Sequence, residues 1–207
     1  MISKSSKLFQ DAFSVRDDDL IEVKKPCSRE ITEYFKAFHV DLPGGYKTEA
    51  NLRIKDWLSN INNKLDSGFV LTIDYGYPSW EYYSEERSRG TLLCYHQHQI
   101  NENPYQHIGE QDLTTHVNFS SLKRYGEDWG IKTIGFCPQG TYIVSLGIDE
   151  VIREIYGDLP DPFEIAKIKG LILPQGMGES HKIMIQYKGD GDINLRGFNL
   201  RNQMQKL

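Results

Sequence analysis

Apolar residues recur along this chain with two different periods, and the switch between them marks its most informative stretch. Leu52, Ile54, Trp57, Leu58, Ile61 and Leu65 share one face at helical spacing, which predicts an amphipathic helix of about four turns closed by Gly68. From Phe69 to Tyr75 five of seven positions are apolar, with β-branched side chains among them and glycines on either side. Such a run predicts a strand over Gly68 to Tyr77, covered on both faces of an α/β sheet, with Asp74 at its carboxyl end. A helix that feeds a buried strand directly is half of a βαβ unit, so parallel neighbours are implied elsewhere.

The flanks read more weakly. Leu8 to Val23 predicts two strands joined by a hairpin, with the acidic cluster Asp17 to Asp19 as a solvated turn and Pro26 as the end of the unit. Ser28 is placed to cap a helix carrying Ile31, Phe35 and Phe38 on one face, stopped by Pro43-Gly44-Gly45. Beyond Phe119 the pattern predicts a helix to Gly130, a short strand from Ile131 to Phe136, and helices over Tyr142 to Ile148 and Val151 to Tyr156. Gly157 and Pro160 are their stop. A further helix spans Phe163 to Leu173, and a last strand, His181 to Lys188, precedes a polar tail expected to be loosely held.

Composition narrows the classes. With 207 residues, 39% hydrophobic, the chain is long enough for one domain with a real core. Its mean hydropathy is -0.53, and no apolar run approaches the roughly 20 residues that span a bilayer, so no membrane partner and a cytoplasmic location are expected. Cys27, Cys94 and Cys137 are odd in number and far apart, which argues for reduced thiols over a disulfide framework or a CxxC metal knuckle. A net charge of -5 leaves no basic footprint for nucleic acid.

Polar chemistry concentrates between Gly68 and Phe119. Ligands of open α/β sheets bind beyond the carboxyl ends of the strands, so Asp74-Tyr75-Gly76 is a candidate functional rim. The spacing Gly90-x5-His96-x-His98-x3-Glu102-x6-Gly109 resembles the first metal-binding motif of the cupin family, since histidines two apart share one face of a strand. The second cupin motif has no counterpart, because no histidine follows Pro138-Gln-Gly140.

A broader resemblance runs through residues 20 to 190. Leu42-Pro-Gly-Gly45-Tyr46-x-Thr48-Glu49-x-Asn51 is followed by Asp56-Trp57-Leu58, Leu71-Thr-Ile-Asp74-Tyr-Gly-Tyr-Pro78, Tyr82-Tyr-Ser84 and Gly90-Thr-Leu92. Then come Cys94-Tyr95, Gln97-His98, Asn103-Pro-Tyr105, Ile108-Gly109 and Gln111-Asp112-Leu-Thr114-x-His116-Val117-x-Phe119. Gly135-Phe136-x2-Gln139-Gly140, Leu146-Gly147 and Gly176-Met-Gly178 complete the series. In order and spacing this resembles the C-terminal half of the MidA family, S-adenosylmethionine-dependent methyltransferases whose mitochondrial member is a protein arginine methyltransferase needed for respiratory complex I assembly.

The resemblance implies an α/β fold, the C-terminal part of a Rossmann-like class I methyltransferase with an inserted substrate-side region, over residues 1–190, and a polar tail over 191–207. The family's Glu-x-Gly-Pro-Gly-Arg-Gly stretch and its Asn-Glu-x-x-Asp-x-x-Pro motif do not occur here. Cofactor-binding residues are therefore not assigned, and an N-terminal half is the implied partner, as for a split gene, a truncated product or an excised fragment. Methyl transfer to nitrogen needs an aligned lone pair and a group that orients the acceptor, which makes Asp74 the first catalytic candidate, against a role capping the following loop. A carboxylate there suits a substrate arginine of a protein. His116 and His98 are the next candidates, as proton acceptors or polar anchors, against structural hydrogen bonding. Asp112 or Thr114 could equally cap a helix, and Glu49 and Trp57 are open between substrate-side and helix packing.

Three functions follow: a methyltransferase part active with its other half, a metal-binding protein using His96, His98 and Glu102, or a non-catalytic interaction module.

Overall fold

The computed structural model describes residues 8–16, 19–158 and 161–207; the expected turn at Asp17 and Asp18 and the stop at Pro160 lie outside the described residues. In chain order the first elements are strands β1 (Phe9–Arg16) and β2 (Asp19–Pro26), helices α1 (Arg29–Ala37) and α2 (Ile54–Asn62), strand β3 (Gly68–Tyr77) and the single turn α3 (Ser79–Tyr82). Four short strands follow, β4 (Leu93–His96), β5 (Gln99–Asn101), β6 (Asp112–Thr114) and β7 (Val117–Asn118). The remainder is helix α4 (Phe119–Glu127), strand β8 (Lys132–Pro138), helices α5 (Gln139–Ser145), α6 (Ile148–Tyr156), α7 (Pro162–Ile172) and α8 (Met177–Ser180), and strand β9 (His181–Lys188). The chain divides into two compact units, residues 1–52 with 79–116, and residues 53–78 with 117–207.

The first unit holds the β1–β2 hairpin, paired antiparallel from Phe9↔Pro26 to Arg16↔Asp19, and a three-stranded sheet in the order β5-β4-β6. Ser28 caps α1 as its sequence position implies, its Oγ accepting from the Ile31 amide at 3.3 Å. Tyr34 and Phe35 on α1 are buried, and Tyr83 stacks edge-on against Phe35 with ring centroids 5.5 Å apart.

The second unit is built on a four-stranded sheet in the order β7-β3-β9-β8. Strand β3 runs parallel to β7 at Gly76↔Val117 and Tyr77↔Asn118, and antiparallel to β9 from Gly68↔Lys188 to Tyr75↔His181. Strand β8 pairs antiparallel with the other edge of β9, with a bulge between Thr133 and Gly135. One face packs on α2 and α4, where Leu58, Phe119, Leu122, Ile131 and Met184 are almost wholly removed from water. Gln186, fully buried on that face, donates through Nε2 to the Leu122 carbonyl at 3.1 Å. On the other face Cys137, Ile183 and Ile185 close around Phe198.

Several expectations change. Strand β3 is not covered on both faces: Phe69, Leu71 and Ile73 are 52%, 55% and 51% exposed. Its edge opposite β9 carries no strand from Gly68 to Tyr75 among the described residues, so its composition matches a sheet position that this chain does not fill. Helix α2 is shorter than its apolar stripe, because a turn closes it with the Leu65 amide on the Ile61 carbonyl. Asp112 and Thr114 cap no helix; they lie in β6, and Asn118 caps α4 by accepting from the Ser121 amide. The 191–207 tail is firmly packed: Phe198 is 6% exposed, the Gln203 amide donates to the Phe136 carbonyl at 2.7 Å, and Asn202 bonds Phe136 and Ile134. Gly135 has a steric reason to be glycine, since a Cβ there would sit 2.0 Å from the Phe198 ring.

Candidate functional site

In the first unit, Thr48 to Asn51 run as irregular chain past the segment Gly90 to Leu92. Glu49 joins the two. Its carboxylate accepts from the Thr91 and Leu92 amides at 3.0 and 3.1 Å, from the Thr91 hydroxyl at 3.0 Å and from the Tyr82 hydroxyl at 3.3 Å. Gly90 is forced by this contact, for it has φ +82° and a Cβ would meet Glu49 Oε1 at 2.4 Å. The Thr91 hydroxyl also accepts from the His116 backbone amide at 3.1 Å, so the anchor extends to the end of the inserted region. Burial pushes the Tyr82 phenol well above its ordinary value, with hydrogen bonding to Thr91 opposing and the Glu49 charge adding. A carboxylate with its lone pairs so engaged is a positioning group.

Around this anchor lies a cleft of about 620 Å³ lined by Lys47, Glu49, Arg87, Arg89, Tyr105 and His116 among others. Arg87 is largely buried and fixed, donating through one terminal nitrogen to the Glu81 carbonyl and the Ser84 hydroxyl, both at 2.9 Å. Arg89 faces solvent beside Glu102 at 3.4 Å. Lys47 bridges Asp11 at 3.3 Å and Glu22 at 3.1 Å, joining the hairpin to the cleft wall. Hydrogen bonding to Glu22 and the Lys47 ammonium hold Asp11 below the usual carboxylate range against desolvation, and the Glu22 and Asp11 bonds raise Lys47. The cleft thus alternates charges and suits a polar ligand better than an apolar one.

The expected residues fall in three places. Half-buried His116 lines the cleft. His98 does not: it sits exposed at the tip of the β4–β5 hairpin, where Gln97 and His98 have φ of +48° and +62° and form a two-residue turn. That turn also breaks the strand geometry on which a His96, His98 and Glu102 metal set depends. Asp74 belongs to the second unit, three residues before the end of β3 rather than at it. Its Oδ1 accepts from the Tyr75 amide at 2.8 Å, and Lys182, opposite it in register, pairs with Glu179 at 3.5 Å. Trp57 lies 46% exposed on α2. Glu49, open in the sequence between substrate-side and helix packing, is the anchor of Gly90 to Leu92 on the cleft wall.

Cys94 and Cys137 are buried, free thiols, and Cys27 is half-buried. Burial pushes Cys137 up to about 12 and raises Cys94 and Cys27 as well, which disfavours the thiolate at all three. No described helix is long and apolar enough to cross a membrane.

Comparison with known proteins converges on one group. Residues 3–137 match the model of a family described as "Putative S-adenosyl-L-methionine-dependent methyltransferase". A crystal structure of an uncharacterised protein from Burkholderia thailandensis is 28% identical, with a TM-score of 0.83 over 96% of this chain and 54% of its own. A second structure from Burkholderia thailandensis, of the same superfamily, is described as a "likely methyl transferase" bound to S-adenosyl-homocysteine. It is 27% identical, with a TM-score of 0.84 over 99% of this chain and 53% of its own. The chain therefore spans about half the length of these solved structures. No curated protein matches it at a significant level.

Proposed function

The chain belongs to this family of S-adenosyl-L-methionine-dependent methyltransferases, and from that premise we propose that it is the substrate-side and C-terminal part of an enzyme that methylates an arginine of a protein substrate. The observation that carries the reading is the open edge of β3. A strand of this composition, with Phe69, Leu71 and Ile73 uncovered and its edge unpaired from Gly68 to Tyr75, is built to have a further parallel strand beside it. Chain corresponding to the other half of the solved structures, on the same polypeptide or a separate one, is the occupant we assign to that edge.

S-adenosylmethionine, when bound, supplies an electrophilic methyl group. The fit of this chain to it is partial, because no Gly-x-Gly-x-Gly run occurs in its sequence to bring backbone amides close to the cofactor. The amides that would hold the methionine and ribose parts are assigned to the other half. What this chain's own residues do is shape and orient. Asp74 keeps one carboxylate oxygen on its own backbone and presents the other to an acceptor guanidinium, consistent with the MidA resemblance. His116 lines the polar cleft of the first unit, where a polar ligand would meet it. His98, exposed at its hairpin tip, has no enclosure in which to serve as a proton acceptor.

The test is calorimetric titration of S-adenosylmethionine into the chain alone and mixed with a separately expressed polypeptide equivalent to the other half. Binding only in the mixture supports the reading. Binding by the chain alone overturns the assignment of the pocket, and binding in neither favours a non-catalytic interaction module.

A further inference from the structure

The structure points to a transition-metal site at His96, His107 and Glu110, a set that neither the family nor the methyltransferase reading assigns. One ligand atom from each lies within 4.8 Å of the other two. Strand pairing creates the cluster: β6 runs antiparallel to β4 with Tyr95 opposite Asp112, so the chain just before β6 passes the end of β4 where His96 sits. Immediately upstream, residues 107–110 form a tight turn closed by the Glu110 amide on the His107 carbonyl at 2.8 Å, with His107 at φ +47°. The ends of that turn, His107 and Glu110, are thereby brought to the same place as His96.

The second observation concerns the proton on His96. Its Nδ1 lies 3.0 Å from the Glu110 backbone oxygen. A carbonyl can only accept, so Nδ1 carries the hydrogen and Nε2 keeps its lone pair. A ring held in this tautomer by a backbone carbonyl is the arrangement that orients metal-binding histidines. Glu110 thus acts twice, fixing the ring through its main chain and offering its carboxylate as a ligand. Two imidazoles and one carboxylate suit zinc, nickel or cobalt over magnesium or calcium, and three protein ligands leave a position for water or an added ligand.

In this structure the His96 and His107 rings are stacked, 3.9 Å between centroids and 2° between planes. Parallel rings cannot both aim a lone pair at one ion, so binding requires one ring to turn. His107 and Glu110 are exposed, so turning the His107 ring gives up only its stack on His96.

The experiment uses the untagged full chain, titrated with zinc by calorimetry and with cobalt by visible absorption. Zinc binding with a stoichiometry of one is expected, weakened at least tenfold by His107→Ala and by Glu110→Gln, with His98→Ala unchanged. Glu110→Gln keeps the backbone carbonyl and so removes only the carboxylate, and both variants change exposed side chains, with circular dichroism to confirm folding. Absence of zinc binding overturns the proposal. So does binding that survives both substitutions, since the ion is then held elsewhere.

Discussion

Glu49 and Thr91 are locked together by the backbone amide and the hydroxyl of Thr91, both donated to one carboxylate 42 residues earlier in the chain. That bond fixes where Gly90 to Leu92 lies, and through the Thr91 hydroxyl it fixes the main chain of His116. Removing the acceptor strands several donors at once. Glu49→Ala is expected to lower unfolding free energy by about 3 kcal/mol, and Glu49→Gln by about half as much because an amide oxygen still accepts. Urea unfolding followed by tyrosine fluorescence measures it; a loss under ~1 kcal/mol for the alanine variant would mean that water replaces the carboxylate.

Gly135 and Phe198 make a second test. Gly135→Ala drives a methyl into the Phe198 ring and is expected to cost about 2 kcal/mol. Phe198→Ala empties the same space at its own cost. Combined, the two changes should cost less than their sum, and a double-mutant cycle showing strict additivity would count against the contact.

The three cysteines should separate by reactivity. With a thiol-specific reagent at neutral pH, half-buried Cys27 is expected to react slowly, and Cys94 and Cys137 only as fast as the protein opens. Denaturant should release all three; mass spectrometry of the native reaction identifies the first site modified.

Lys47 gives a signed pH dependence. The Asp11 carboxyl is lowered from 3.8, so its contribution is present above that value and is lost as pH falls through the lower folded one. Lys47 is raised from 10.5, so its contribution is present below that value and is lost as pH rises through the higher folded one. The stability difference between the native chain and Lys47→Met should therefore be flat between these limits and shrink outside them. Because Lys47 is mostly exposed, the difference itself should stay under ~1 kcal/mol; urea midpoints across pH would show it.

Leu71→Lys tests the uncovered face of β3. At 55% exposure the change should alter the stability of the chain by less than about 0.5 kcal/mol. It should nevertheless weaken binding to the other half, read by calorimetry of the two mixed polypeptides. Unimpaired binding would place that half elsewhere.

Local signals were the legible ones. The β1–β2 hairpin, the Ser28 cap and the extent of β3 follow from residues close together in the chain. The exposure of Leu71 and Ile73 was not legible, because side-chain composition records the environment of an assembled sheet and says nothing of which strands are present. Among candidate residues, Asp74 lies three positions before the strand end, and His96 lies near His107 and Glu110 instead of beside His98. Spacing put it beside His98, where a two-residue turn intervenes, whereas its neighbours His107 and Glu110 arrive through the register of β4 with β6. Such long-range registers leave no mark on sequence periodicity.

The place of β9 has a consequence for synthesis. It lies between β3 and β8, yet both of those strands leave the ribosome before it does. Until residue 188 emerges, β3 and β8 have no strand to join them, and the Ile183 and Ile185 side chains that close the core have not yet appeared. The second unit must therefore form its sheet late and all at once, by contacts across more than a hundred residues between β3 and β9. During that interval the edge of β3 that β9 will take is unpaired, and an exposed apolar strand edge of this kind favours association between nascent chains.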